Sequence, residues 1–220
     1  MTKRLLSPSL AGPPLGVKES ASPDDPTADR LLTAGAQAFA ERGFHATTTR
    51  DIATRAGLSP AGLYVHYPSK QALLARLSLT GHRAALDLVS TALSGPGTPV
   101  ERVHRMVEAF VTWHAEHHVV ARVVQYELRS LDEATRTEVN AVRRRLEDVV
   151  EQAVTEGVAD RTMVVDVPRT ATRAVLSLAV DVARWFDPRG RESAAEVGRI
   201  YADLAVRMLG AAPPTDRSTT

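Results

Sequence analysis

Thr47, Thr48 and Arg50, then Ser59, Pro60 and Ala61, then Tyr64, His66 and Lys70 all fall within "TTTRDIATRAGLSPAGLYVHYPSK". Hydroxyls, a guanidinium, an imidazole and an ammonium at this density suit hydrogen bonds to phosphate oxygens. The small residues suit close approach to base edges, and Pro and Ala suit contact with a thymine methyl. Between Phe44 and Ala85, five Lys/Arg stand against a single acid, Asp51. Any further carboxylate would face phosphates and weaken binding, which gives the scarcity of acids a cause. The chain as a whole carries only +1, so this basic character is local and points to a local polyanion site.

A second cluster, "WHAEHH", invites metal chemistry. His114 and His118 lie four residues apart and would share a helix face, with Glu116 and His117 beside them and His104 ten residues earlier. A site needs three or four ligands, and no second cluster supplies them, so no metal is expected. No nucleophile, base and orienting group can be assembled either, and no phosphate loop is present. With no Cys there is no thiol chemistry, no disulfide and no Cys-ligated zinc. The expectation is a chain that is not an enzyme, has no catalytic residues and needs no cofactor. No apolar run has the length of a membrane span, and the N-terminus lacks the long apolar region of a signal peptide. A cytoplasmic protein with no membrane partner is expected.

The elements that must position these groups read as helices. Residues 1–26 hold five Pro and little periodic apolar content, which predicts a disordered tail. "DRLLTAGAQAFAERGF" sets Leu31, Leu32, Gly35, Ala38 and Phe39 on one face and stops at Gly43. A short helix follows, with Thr47 as its N-cap and Gly57 as its stop. Ser59 caps the next, with Pro60 at its first position. Two short helices joined by a tight glycine turn form a helix-turn-helix, in which the second lies in the major groove of double-stranded DNA. Ile52, Ala53, Ala56, Leu63 and Tyr67 fall on its inner side. Beyond it a long helix from Lys70 to Leu93 is expected. Three more are placed at Val100–His117, Val119–Ser130 and Asp132–Glu156, and two last ones at Pro168–Phe186 and Glu192–Leu209. The fold class is all-α, with about nine helices.

The run "LLTAGAQAFAERGFHATTTRDIATRAGLSPAGLYVHYPSKQALL" resembles the DNA-binding region of the TetR family of transcriptional regulators. The resemblance implies a homodimeric, ligand-responsive repressor on a palindromic operator. By position, Thr47, Thr48, Tyr64, His66 and Lys70 would contact phosphates, and Ser59, Pro60 and Ala61 would approach bases. Three departures stand out: Thr49 where the family has an aliphatic residue, Val65 where a second Tyr is common, and Gln71 for Glu.

The expected division is 1–26 tail, 27–74 helix-turn-helix domain, 75–210 ligand-binding and dimerisation bundle, and 211–220 frayed tail. In the bundle, Met106, Phe110 and Trp113 at helical spacing, with His114, Arg122 and Tyr126, are candidates for an effector pocket. Ordinary core packing is the competing reading of that stripe. The broad apolar faces of the last two helices suggest a dimer interface through Ala174, Leu178, Trp185, Tyr201 and Leu204. "WFDPRGRESAAEVGRIYADLAVRMLG" resembles the end of a subgroup that responds to CoA thioesters and is associated with lipid breakdown, which implies an apolar or CoA-linked effector. The tilt of the long helix, with Gly81 as a flexible point, would couple the two parts. An effector-independent architectural DNA-binding protein, a His-based metal sensor and an activator stay open as alternatives.

Overall fold

The computed structural model describes residues 25–214. The predicted disordered tail (apart from its last residues) and most of the predicted frayed C-terminus lie outside them. Among the described residues there are nine α-helices, one short 3-10 turn and no strand.

Local chemistry sets the first helices. α1 (Pro26–Ala46) starts where the Asp25 carboxylate accepts the amides of Thr27 and Ala28, with Pro26 at the first position. Its regular part ends at Gly43, whose φ of 77° any side chain would strain. Phe44 then folds back so that its ring lies 5.3 Å from that of Phe39. α2 (Thr49–Arg55) has Thr48, not the expected Thr47, as its N-cap. Thr48 and Asp51 cap one another reciprocally. The turn passes through Gly57, and α3 (Pro60–His66) begins at Ser59, whose hydroxyl accepts the Gly62 amide. α4 (Lys70–Ser94) is a single helix of 25 residues.

The later helices are α5 (Pro99–Glu116), α6 (His118–Tyr126) followed by the 3-10 turn Glu127–Ser130, α7 (Glu133–Ala159), α8 (Pro168–Trp185) and α9 (Ala194–Met208). Thr98 with Glu101 and Ser193 with Glu196 repeat the reciprocal cap at α5 and α9. The link between α7 and α8 is irregular, and the Val164 amide donates to Leu209 O.

The chain divides into two compact units. The first runs to Ala84 and includes Val119–Ala141; the second comprises Ala85–His118 and the chain from Val142. This division does not coincide with a cut after Leu74. The first core joins Leu31, Ile52, Leu63, Leu73 and Leu74 to Val123, Val124, Leu131 and Val139, so α6 and the start of α7 pack with the helix-turn-helix. α1 and α4 cross closely at Gly35, where a Cβ would meet Leu73 Cδ2 at 2.5 Å. The second core gathers Val89, Val103, Met106, Val107, Phe110 and Val111 with Val154, Val182, Val197 and Leu209. α5 and α9 approach closely at Gly198, where a Cβ would come within 2.2 Å of Thr112 Oγ1 and 2.8 Å of Glu108 O.

Candidate nucleic-acid interface

α2 and α3 are each seven residues long and are held from beneath. Ile52, Ala53 and Leu63 are wholly buried, and Tyr67 closes the far end of α3 with its ring in the core. Burial pushes the Tyr67 phenol well above its ordinary pKa, so it stays protonated, and its hydroxyl donates to Ala28 O at 3.5 Å. Apolar burial on one side of two short helices leaves the opposite side of α3 outward. Pro60, Ala61, Tyr64 and Val65 form that side, with Tyr64 52% and Val65 69% exposed.

Three of the residues expected at phosphates are turned to other work. Thr47 is 1% exposed, and its hydroxyl lies 3.1 Å from Ala38 O and 2.8 Å from Gly43 O, so it closes the end of α1. Lys70 Nζ donates to Phe44 O, His45 O and Thr47 O at 2.8, 3.1 and 2.9 Å, which uses all three of its N–H groups. His66 Nδ1 lies 2.8 Å from Asp25 Oδ2, tying the end of α3 to the start of α1. Two of these placements share a physical reason: Thr47 and Lys70 meet main-chain carbonyls at the end of α1, whereas His66 faces the side chain that caps its start. A helix end leaves bare carbonyls or amides, and the nearest polar side chain is recruited to them. Periodicity in the sequence does not show which side chain that is.

The remaining predicted residues lie outward. Arg50, Ser59, Pro60, Ala61 and Tyr64 are exposed, as is Thr48, although its hydroxyl also serves the cap of α2. Arg55, counted in the basic surface, is paired with Glu41 at 2.8 and 2.5 Å. Arg83 is paired with Glu138. The one acid of the stretch is restrained. The Thr48 amide above all, then the Thr48 hydroxyl, hold the Asp51 carboxyl below its ordinary range, and Arg42 adds an ion pair at 3.2 Å. One partner was not foreseen from the sequence. The Thr49 hydroxyl lies 3.2 Å from Tyr64 Oη, linking α2 to the outward face of α3. The signal for it was Thr49 standing where an aliphatic residue was expected.

In the second unit, Met106 and Phe110 are 0% and 2% exposed and belong to the core. They are packing residues here, since the apolar face of α5 is the one that α8 and α9 cover. His114 is also buried; its Nδ1 pairs with Phe110 O and its ring sits edge-on to Phe110 and Trp113. His117 stacks on Trp113, and His118 meets Phe186 edge to face. Thus His114 and His118 have separate surroundings, and among the described residues no group of three or more potential ligands could hold a metal ion. Arg122 is half-buried and Tyr126 exposed, and both belong to the first unit. A shallow open cleft of about 340 Å³ lies elsewhere in the second unit, lined by Thr98, Val100, Thr162 and Ala211 among others.

The residues expected at a dimer interface lie outward. Ala174, Leu178, Trp185 and Leu204 are exposed and Tyr201 half-buried, with the Trp185 and Tyr201 rings 6.1 Å apart. Ile200 and Met208 extend the exposed apolar stripe. The small residues Ala179, Ala183, Ala202 and Ala205 are instead buried and serve close packing inside the unit. No helix among the described residues is long and apolar enough to cross a membrane.

Residues 31–77 match the bacterial regulatory proteins of the tetR family, and residues 96–209 match the tetracyclin repressor-like C-terminal domain. The HTH-type transcriptional repressor KstR2 of Mycobacterium tuberculosis is 31% identical over 185 residues, which cover 80% of this chain and 89% of that protein. A bacterial regulatory protein in the tetR family from Rhodococcus RHA1 superposes with a TM-score of 0.80 at 34% identity, over 86% of this chain and 99% of that one. AibR, solved in complex with isovaleryl coenzyme A and operator DNA, shares the fold with a TM-score of 0.74 at 20% identity, over 86% of this chain and 100% of that one. With a helix-turn-helix whose outer face is open and with matches over both units, the chain belongs to the TetR family of bacterial transcriptional regulators.

Proposed function

We propose that this chain is a repressor that binds a palindromic operator as a homodimer and is released by a lipid-derived effector, an acyl-CoA ester being the favoured class. The observation that carries the reading is the outward face of α3, borne on a helix-turn-helix in a chain 31% identical to a known repressor. A lone helix-turn-helix reads few base pairs, and two half-sites about 34 Å apart need a two-fold partner. The exposed stripe of Leu178, Trp185, Ile200, Leu204 and Met208 on α8 and α9 suits that partner; Ala174 and Tyr201 complete it. Five large apolar side chains on two neighbouring helices exceed the scatter of single hydrophobics on an ordinary surface.

The effector class rests on analogy at the level of the fold, since AibR holds isovaleryl coenzyme A within this architecture. Release requires the ligand to favour the conformation that binds DNA poorly. α4 contributes residues to both units and is the element through which that preference reaches α3. The test is fluorescence anisotropy on DNA from upstream of the protein's own gene, at fixed salt, with acyl-CoA esters and the matching free acids. Specific binding relieved by a thioester and not by its acid supports the whole reading. Specific binding that no thioester relieves removes the effector class and keeps the DNA-binding half.

A further inference from the structure

We infer that Val65, together with Ala61, reads thymine methyl groups in the major groove and sets the operator preference of this repressor. The inference rests on the operator-binding reading above and adds the means of discrimination. Bidentate hydrogen bonds to base edges come from Arg, Lys, Asn and Gln, and acceptance from cytosine comes from Asp and Glu. α3, "PAGLYVH", contains none of the six. Its hydroxyl group at position 64 is engaged with Thr49 Oγ1, the Ser59 hydroxyl accepts the Gly62 amide, and the His66 ring faces Asp25. Apart from the Tyr64 phenol, what α3 presents outward is apolar. Among the described residues of the first unit, Val65 is the most exposed large hydrophobic side chain, at 69%. Ala61 lies four residues earlier, one helical turn away on the same side, and is also exposed. An isopropyl group and a methyl one turn apart on a major-groove helix match the thymine C5-methyl, which is the one apolar group in that groove.

The charge around this face fits the same partner. α3 has no carboxylate, and Asp51 and Asp25, which flank it, are capped and ion-paired. Arg50 is exposed on α2, available to the phosphate backbone without competing for the bases that α3 covers. A valine held outward at a position open to water gains nothing inside the monomer, whereas each methyl that it buries against DNA adds about fourfold in affinity.

The experiment starts from the duplex that full-length protein enriches from a random pool. Each thymine of one half-site is replaced in turn by deoxyuridine, which removes only the C5-methyl, and affinity is read by anisotropy. Wild-type protein is expected to lose about fourfold at one or two adjacent positions and nothing elsewhere. Val65→Ala is expected to bind the thymine duplex several-fold more weakly and to show no further loss on deoxyuridine at its position. Val65→Thr, which keeps one methyl, should fall between. An enriched duplex with no deoxyuridine-sensitive position overturns the inference and leaves the repressor reading standing. Sensitivity that persists undiminished at every position in Val65→Ala overturns the assignment to Val65. Failure to enrich any sequence overturns both.

Discussion

The ammonium of Lys70 lies 2.8 Å from the main-chain oxygen of Phe44 and 4.5 Å above the centre of its ring. Position and charge suggested a phosphate contact, but the first residue of α4 instead closes the turn between α1 and α2. Replacing it with Met removes the donor for three carbonyls. Lys70→Met should therefore lower the unfolding free energy by about 1–3 kcal/mol, while the slope of DNA affinity against salt concentration stays unchanged. A slope smaller by about one charge with unaltered stability would return Lys70 to the phosphate backbone.

The pairing of Thr49 and Tyr64 is tested by a double-mutant cycle. Tyr64→Phe removes a hydroxyl from the outward face and should weaken operator binding about tenfold or more if that hydroxyl meets a phosphate. Thr49→Val keeps shape and loses the partner. If Thr49 orients the phenol, its effect on affinity disappears in the Tyr64→Phe background, and additive losses would show that the two act independently.

Two glycines should respond in opposite directions. A Cβ at Gly81 meets only Val124 Cγ1 at 3.9 Å, an ordinary contact, so Gly81→Ala should stabilise the chain by up to about 1 kcal/mol. At Gly198 the added Cβ presses on Thr112 and on the main-chain oxygen of Glu108, and Gly198→Ala should lower the melting temperature by several degrees. Gly81→Ala also tests the coupling role of α4: an unchanged effector response would show that no flexible point is needed there.

Acid should weaken the helix starts. Amides at helix starts hold the carboxyls of Asp25 (Thr27 first, then Ala28) and Asp51 (Thr48) below their ordinary value of 3.8, and the Ser193 hydroxyl and then its amide hold that of Glu196 below 4.5. Lowered carboxyl values mean stability that is fully present above the ordinary values and is lost as pH falls through the lowered ones. Unfolding curves should thus be flat above about pH 5 and shift steeply below pH 4, and Asp51→Asn should flatten part of that fall.

The helices were legible because caps, prolines and glycines mark their ends: Pro26, Ser59 with Pro60, Pro99 and Pro168 all stand where helices begin. The outward face of α3 was legible because Leu63 and Tyr67 fix the inward one. The intramolecular partners of Thr47, His66 and Lys70 were not, because each depends on a carbonyl or carboxylate brought close by folding. The same holds for Glu127, whose carboxylate accepts the Phe44 amide from 83 residues away and binds the 3-10 turn into the first unit. Periodicity marked Met106 and Phe110 as one stripe, but a stripe of this kind reads alike whether it lines a cavity or fills a core.

The most direct test of the central claim is selection of duplexes from a random pool by full-length protein, run in parallel with Ala61→Glu. Ala61 is exposed, so the variant should keep its fold, and its carboxylate would meet the bases. The account predicts that wild-type protein enriches a palindrome with half-sites one helical turn or a multiple of it apart, and that Ala61→Glu enriches nothing. Equal enrichment of the same sequence by both proteins would contradict it, because α3 would then not be the element that enters the groove.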